Sequence, residues 1–438
     1  MTLNIPSKAK TIITLLENAG FEAFCVGGAV RDSIMGLNPT DWDITTSASP
    51  EDTVMVFKDY KTVDTGLKHG TLTVVIDKTP FEVTTYRVDG DYNDNRHPEN
   101  VHFTKKLSDD LSRRDFTVNA LAYNDKTGLV DLYGGQEDIY SSIIKTVGNP
   151  SARFQEDGLR IMRALRFASV LGFTIESETA KAIHDNKDLL KNISAERLAV
   201  ELSKLVCGKN AFNILMEYWD VLSVFIPEIK SAVGFKQYGK KHAYDVWEHI
   251  CHTVDTIPQD KILRLTMLLH DLGKIPTHKL DENGNSTFKN HATIGGDMAR
   301  EILTRLRFDK KTINRVSFLV ANHDFEPPLS KADLKKHLKN KTVDDIKTLL
   351  TIKKSDRGAL SESYRDISKE SEQCLKWLDE TEKNNECCKI AQLAITGDDL
   401  KKKGLKGEDI GKALDTLLDA VIEGKLQNKK EDLLTYYL

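Results

Sequence analysis

The most constraining feature of this chain is an order of short elements near its start. An apolar, strand-like stretch, Ala23-Phe24-Cys25-Val26, runs into Gly27-Gly28, and a helix-like run from Ala29 to Met35 carries Arg31. After the turn Gly36 to Pro39 come two carboxylates one residue apart, Asp41-Trp42-Asp43. Side chains two apart on an extended segment point to the same face. From there they can hold divalent cations against a triphosphate. Glycines at the strand-to-helix junction let backbone N–H groups approach phosphates, and the helix N-terminus favours their charge. Each element alone is common on protein surfaces; the combination reads as a nucleoside triphosphate site.

The remaining sequence sets the frame. With 438 residues the chain exceeds one small core, so two to four domains are expected. Charged residues make up 29% and hydrophobic ones 40%, the balance of an ordinary soluble, helix-rich protein. A net charge of -4 means that any nucleic-acid contact must come from local basic patches. No run approaches the length of a membrane span, and the N-terminus enters an amphipathic helix, Lys8 to Glu17, without a signal-like pattern. The six cysteines have no metal-finger spacing, which points to free thiols in a reducing cytoplasm. The first part reads as mixed α/β: helix 8–18, strand 22–26, helix 29–35, the Asp41 to Thr45 strand, helix 50–58, and strands over 70–77 and 80–87. Residues 88–112 read as a mobile polar loop, and from about 150 the pattern is almost wholly helical.

Three further motifs bear chemistry. Glu82, in the alternating strand Pro80 to Arg87, is a third carboxylate able to complete a metal cage or activate an attacking hydroxyl; an ordinary polar-face Glu is the competing reading. In Arg113-Arg114-Asp115-Phe116-Thr117-Val118-Asn119-Ala120, a helix starting near Asp115 puts Asp115 and Asn119 on one face. A carboxylate beside an amide suits a ribose 2′-hydroxyl, and the two arginines suit triphosphate oxygens. In Glu156-Asp157-Gly158-Leu159-Arg160-Ile161-Met162-Arg163, a helix sets Asp157 and Arg160 together at i, i+3. Cytosine and adenine both present an amino donor beside a ring-nitrogen acceptor, which that pair satisfies. Uracil and guanine place a carbonyl opposite the carboxylate and are refused.

Gly-Gly-x-Val-Arg-Asp followed by Asp-Trp-Asp-Ile-Thr-Thr resembles the signature of the class II tRNA nucleotidyltransferase and bacterial poly(A) polymerase family. The octet around Asp115 resembles that family's sugar motif, and Glu-Asp-x-x-Arg its base-selecting motif. The resemblance implies an α/β head of polymerase-beta-like nucleotidyltransferase type, then an all-α neck, body and tail. It further implies Mg²⁺ at Asp41 and Asp43, and CTP, ATP and tRNA as partners. Gly27, Gly28, Arg31, Arg113, Arg114, Asp115, Asn119, Asp157, Arg160 and Arg163 would then bind nucleotide. The segment Asp91 to His97 resembles the flexible element that, in this family, supports the switch from adding C to adding A.

Downstream, His249, then His270-Asp271 at the end of an apolar helix, then Asp356 resemble the ligand set of an HD-type phosphohydrolase. Imidazoles with carboxylates suit borderline divalent metals, the candidates for this site being Mn, Ni, Mg or a similar ion, and an open position activates water. His291 and His323 are extra candidates, as ligands of a second metal or as phosphate contacts. The stretch from Ile395 through Lys401-Lys402-Lys403 to Asn428 resembles the tail of HD-bearing members and would hold tRNA backbone. The expected organisation is therefore a head over 1–149, a neck over 150–235, an HD domain over 236–365 and a tail over 366–438. The expected activity is CCA addition to tRNA. Addition of A alone, poly(A) synthesis and a mainly HD phosphohydrolase are the alternatives. The sequence leaves oligomeric state open.

Overall fold

A computed structural model of the chain describes residues 2–90 and 101–436, so the segment Asp91 to His97 lies outside the described residues. The chain forms two compact units. The first spans Met1–Val233 with two short returns, Gln259–Lys261 and Ile302–Asp309; the second holds the remainder from Gly234.

The first unit opens with α1 (Ser7–Asn18), whose Ala9, Ile12, Ile13 and Leu16 make one buried face. Strand β1 (Ala23–Val26) is buried throughout and leads through Gly27 into α2 (Gly28–Ile34). Strand β2 (Asp43–Thr46) is followed by α3 (Pro50–Val56), which a Ser49–Asp52 capping box and Pro50 start sharply. Next come β3 (Lys61–Val63), β4 (Thr71–Ile76) and β5 (Thr79–Thr85). In β4 burial alternates, with Leu72, Val74 and Ile76 inward, as a half-buried strand requires.

The stretch over 88–112, expected to be a loop, includes regular structure in its described residues. It contributes to the hairpin of β6 (Arg87–Asp89) with β7 (Val101–Phe103) and to α4 (Leu107–Ser112). Its polar composition hid a helix that pins Asp110 and Leu111 in the interior. Strands β8 (Leu121–Asn124) and β9 (Gly128–Asp131) complete a seven-stranded sheet in the order β3-β4-β5-β2-β1-β8-β9. Every pairing in it is antiparallel except β2 with β5, which run parallel with Ile44 opposite Val83. That register sets Asp43 and Glu82 at matching positions on neighbouring strands.

Beyond the sheet, α5 (Gly135–Tyr140) precedes α6 (Pro150–Glu156) and α7 (Leu159–Leu171). Asp157 lies between these two helices in extended conformation, φ -137° and ψ 105°. The expected single helix through Asp157 and Arg160 is thus broken at Asp157, and only Arg160 is helical. The second unit is helical apart from a two-residue hairpin, Lys279–Leu280 with Ser286–Thr287. Its C-terminal part packs Leu393, Ile395, Leu400, Leu417 and Leu418 around Leu433. No helix among the described residues is long and apolar enough to cross a membrane.

Candidate functional sites

In the first unit Asp41 precedes β2, Asp43 begins it, and Glu82 sits on the exposed side of β5. All three carboxylates are exposed, while Trp42 between the two aspartates is buried and anchors the turn. The protein packed around Asp43 raises its carboxyl above the ordinary range; Glu82 and Asp41 add to the rise and Arg114 opposes it. Mutual repulsion of this kind is what a bound cation relieves, so the donor set fits a divalent ion.

Gly27 bridges strand and helix with φ +75° and ψ -133°, a conformation that L side chains rarely adopt. A Cβ there would stand 3.3 Å from an Arg114 guanidinium nitrogen. Arg113 and Arg114 both turn onto Asp110, which is fully buried. Arg113 donates to Oδ1 at 2.6 and 3.1 Å, and Arg114 to Oδ2 at 3.1 Å. Burial opposes ionisation of Asp110, yet the two guanidinium groups hold its carboxyl below the usual range. The expectation that these arginines face phosphate must therefore include a carboxylate that orients them. The i, i+3 and i, i+4 spacing from Asp110 signals this pairing once residues 107–112 are recognised as a helix.

Asp115 and Asn119 meet as expected, with the amide donating to Asp115 Oδ1 at 3.1 Å, but no α-helix begins at Asp115. A single 3₁₀ turn, Thr117–Asn119, brings them together instead. The pair belongs to a longer chain of bonds. Arg31 donates to Asn119 Oδ1 at 2.5 Å, and Arg163 donates to Asp115 Oδ2 at 2.8 and 2.5 Å. Burial works against the Asp115 carboxylate, but Arg163 and the Asn119 amide bring it down to about 2. Phe167 of α7 lies beneath this network, with the guanidinium carbons of Arg31, Arg163 and Arg166 at 5.2, 5.4 and 3.9 Å from its ring centre. Nothing in sequence spacing marks Phe167 beyond its place on the apolar face of a helix.

The side chains of Asp157 and Arg160 do not bond each other; only the Arg160 backbone N–H donates to the Asp157 carbonyl, at 2.9 Å. Arg160 donates to Glu156 at 2.5 Å and to the Arg113 carbonyl at 2.9 Å, whereas Asp157 accepts from Arg197 at 3.1 Å. Glu156 and Arg197 are thus partners that the paired-face reading missed.

The second unit gathers a different set. His249 lies on helix Val246–Thr256, which Asp245 caps by accepting from the Glu248 N–H at 2.8 Å. His270 and Asp271 follow helix Lys261–Leu269, His291 begins helix His291–Arg305, His323 follows helix Lys310–Ala321, and Asp356 lies on Val343–Gly358. Gly273 lets the turn after Asp271 press against the start of the next helix: a Cβ there would fall 2.2 Å from the His291 carbonyl oxygen. Among the described residues, two groups bring three or more His, Cys, Asp or Glu ligand atoms within 4.8 Å of one another. These are His249, His270, Asp271 and Asp356, and Asp271 with His291 and His323. The carboxylates Asp41, Asp43 and Glu82 do not form a third such group. Burial lowers the pKa values of His270 and His291, favouring the neutral form that can bind a metal. Burial also opposes the charge on Asp356, but hydrogen bonding to His249 holds its carboxyl well below the usual range. His270 Nε2 is buried without a hydrogen-bond partner, an orphaned lone pair that fits a metal ion.

A mixed sheet bearing acidic residues on neighbouring strands, followed by helices, defines a nucleotidyltransferase with a polymerase-beta-like head. Residues 23–145 match the model of the poly A polymerase head domain. Residues 172–233 match that of a probable RNA and SrmB- binding site of polymerase A, and 288–437 a putative domain 2 of tRNA nucleotidyltransferase. A CCA-adding enzyme of Geobacillus thermodenitrificans is 41% identical over 285 residues, 63% of this chain and 68% of that protein. One from Ligilactobacillus salivarius is 44% identical over 255 residues, 56% of this chain and 63% of that protein. A solved Bacillus stearothermophilus CCA-adding enzyme in complex with CTP is 28% identical and superposes with a TM-score of 0.72, covering 99% of this chain and 97% of that one. The chain belongs to the class II CCA-adding enzyme family. Membership implies dependence on a divalent metal.

Proposed function

We propose that this protein adds CMP and AMP to the 3′ end of tRNA, using CTP and ATP, in the cytoplasm. The observation that carries the reading is the register that sets Asp43 of β2 beside Glu82 of β5, next to the Gly27 turn. Asp41 and Asp43 would hold Mg²⁺, with Glu82 supporting them. Mg²⁺ held there supplies Lewis-acid polarisation of the α-phosphate and eases ionisation of the attacking 3′-hydroxyl. Arg113 and Arg114, steadied by Asp110, face the triphosphate oxygens. The Arg31–Asn119–Asp115–Arg163 chain presents a fixed amide and carboxylate to the ribose. For the base, cytosine or adenine competes with Glu156 for Arg160 and with Arg197 for Asp157. The exchange favours bases that offer a donor to the carboxylate and an acceptor to the guanidinium. The first experiment is incorporation of labelled CTP and ATP into tRNA ending before CCA, tRNA ending in CC, and an unrelated RNA. Complete CCA on the first substrate is expected; A added only to the second would make this an A-adding enzyme, and tails on the third a poly(A) polymerase.

A second activity is favoured by one observation, the cluster of buried His249, His270 and Asp271 with half-buried Asp356. We read it as an HD-type centre that binds a divalent ion and hydrolyses a phosphate ester. Phosphatase activity that is unchanged in His270→Ala and Asp271→Ala would reject this assignment.

A further inference from the structure

We propose that Phe167 is a positioning residue for sugar selection. Its ring holds Arg31 and Arg163 where they fix Asn119 and Asp115, and so sets the preference for a ribonucleotide over a deoxyribonucleotide. The proposal rests on the nucleotidyltransferase reading above and adds to it a residue whose side chain has no polar atom. On α7, Arg163 and Phe167 share a face at i, i+4, while Arg31 reaches the same ring from α2. The guanidinium carbons of Arg31, Arg163 and Arg166 lie over that ring at 5.2, 5.4 and 3.9 Å from its centre. Phe116, from within the sugar motif itself, meets the ring edge to face at 5.8 Å between centroids.

Neutralising charge is not what the ring is for. Each arginine has a carboxylate of its own: Arg31 pairs with Asp32 at 2.7 Å, Arg163 with Asp115 at 2.5 Å, and Arg166 with Glu201 at 2.6 Å. An aliphatic side chain at 167 would leave those pairs in place. The ring adds a flat, electron-rich face that draws each cation to a set distance. Without it, three like charges gathered in one small space spread apart. Phe167 is only 8% exposed, so water does little to weaken the attraction.

The effect reaches the sugar through bonds that one arrangement satisfies. A guanidinium donates and never accepts, so Arg31 fixes the Asn119 side-chain oxygen toward itself. The amide nitrogen is thereby turned to Asp115 Oδ1, at 3.1 Å, and keeps its second hydrogen for a ligand. Asp115 is held from both sides: Oδ1 accepts from the Phe116 N–H at 2.9 Å, and Oδ2 accepts from Arg163 at 2.8 and 2.5 Å. A ribose 2′-hydroxyl can accept the waiting amide hydrogen, and a deoxyribose cannot. If Arg31 and Arg163 drift, the amide is free to rotate and the distinction between the two sugars shrinks.

The test is single-nucleotide addition by the full chain to tRNA ending before CCA, with CTP and dCTP compared through kcat/KM. Phe167→Leu is expected to shrink the preference for CTP by about 3- to 30-fold. Because leucine also changes packing, the deciding variant places a ring-trifluorinated phenylalanine at 167 by nonsense suppression. That residue keeps the shape and withdraws electron density from the ring face. There too the preference should shrink, with the melting temperature unchanged. A preference that stays at the unsubstituted level in both variants overturns the proposal and leaves the nucleotidyltransferase reading standing. A loss confined to the leucine variant assigns Phe167 to packing and overturns the proposal as well. No CMP addition by the unsubstituted chain overturns the underlying reading and the proposal with it.

Discussion

The head and the second unit both assemble carboxylates, but in opposite ways. Asp41, Asp43 and Glu82 are exposed on neighbouring segments and are not drawn to a point. His249, His270, Asp271 and His323 are each 1% exposed or less, and their imidazoles are already oriented. An open acidic edge suits a site that must admit a triphosphate and an RNA end together, with the substrate phosphates completing the ion's coordination. A buried, preset cluster suits a small group held entirely by protein ligands. Preorganisation is therefore placed differently: in the head it resides in the arginine, amide and aromatic layer behind the carboxylates, and in the second unit it resides in the ligands themselves.

This contrast can be broken most decisively by separating the two activities. Asp41→Ala with Asp43→Ala should lower CMP incorporation at least about 1,000-fold while leaving phosphate-ester hydrolysis unchanged. Persistence of incorporation would sink the head assignment. The converse variant, Asp271→Asn, should cut hydrolysis by about 100-fold or more and leave nucleotide addition within about twofold. If both activities fall together with normal folding, the two sites are not independent. A subtler test concerns base choice. Asp157→Ala should narrow the preference for CTP over UTP by about 10- to 100-fold, a larger change than its effect on CTP turnover. Equal slowing of all four nucleotides would assign Asp157 to packing against Arg197 alone.

The smallest effect belongs to the layer behind the head's carboxylates. Because the folded-state pKa of Asp115 is about 2, below the ordinary value of 3.8, its ionised form stabilises the fold. That contribution is complete above about pH 4 and is lost as pH falls through about 2, roughly 2 kcal/mol in all. Asp115→Asn should remove this part of the acid-induced decline, read as a flatter melting temperature between pH 4 and 2. An unchanged slope would move the acid sensitivity to other carboxylates.

Much of the head could be read from residue order alone. The Ala23–Val26 strand, the following helix and the alternating β4 and β5 have clear periodicity, and turn residues bound them. What escaped were elements without period. Strand β8 is buried at all four positions, so no alternation marks it, and α4 is too short and polar to stand out. Site residues were legible as types, whereas their partners depended on tertiary geometry. Asp110, Glu156 and Arg197 became visible only when α4, the break at Asp157 and the packing of α9 (Ala195–Val206) were in place, α9 following α8 (Ser177–Asn186) in the chain. The histidine cluster was legible at His249, His270, Asp271 and Asp356 through its resemblance to an HD-type ligand set, with His291 and His323 beside it as extra candidates. The sharing of Asp271 was not, since no linear pattern records which oxygen of a carboxylate faces which neighbour.

The parallel pairing of β2 with β5 has a consequence in time. Thr45 and Thr84, matched across those strands, are 39 residues apart in the chain. At a synthesis rate of roughly 5–20 residues per second, β5 emerges from the ribosome about 2–8 seconds after β2. Until then β2 has its antiparallel neighbour β1 but no strand on its other side. The nascent head must therefore keep that half-paired edge from recruiting other chains, and Asp43 has no Glu82 beside it until β5 has arrived.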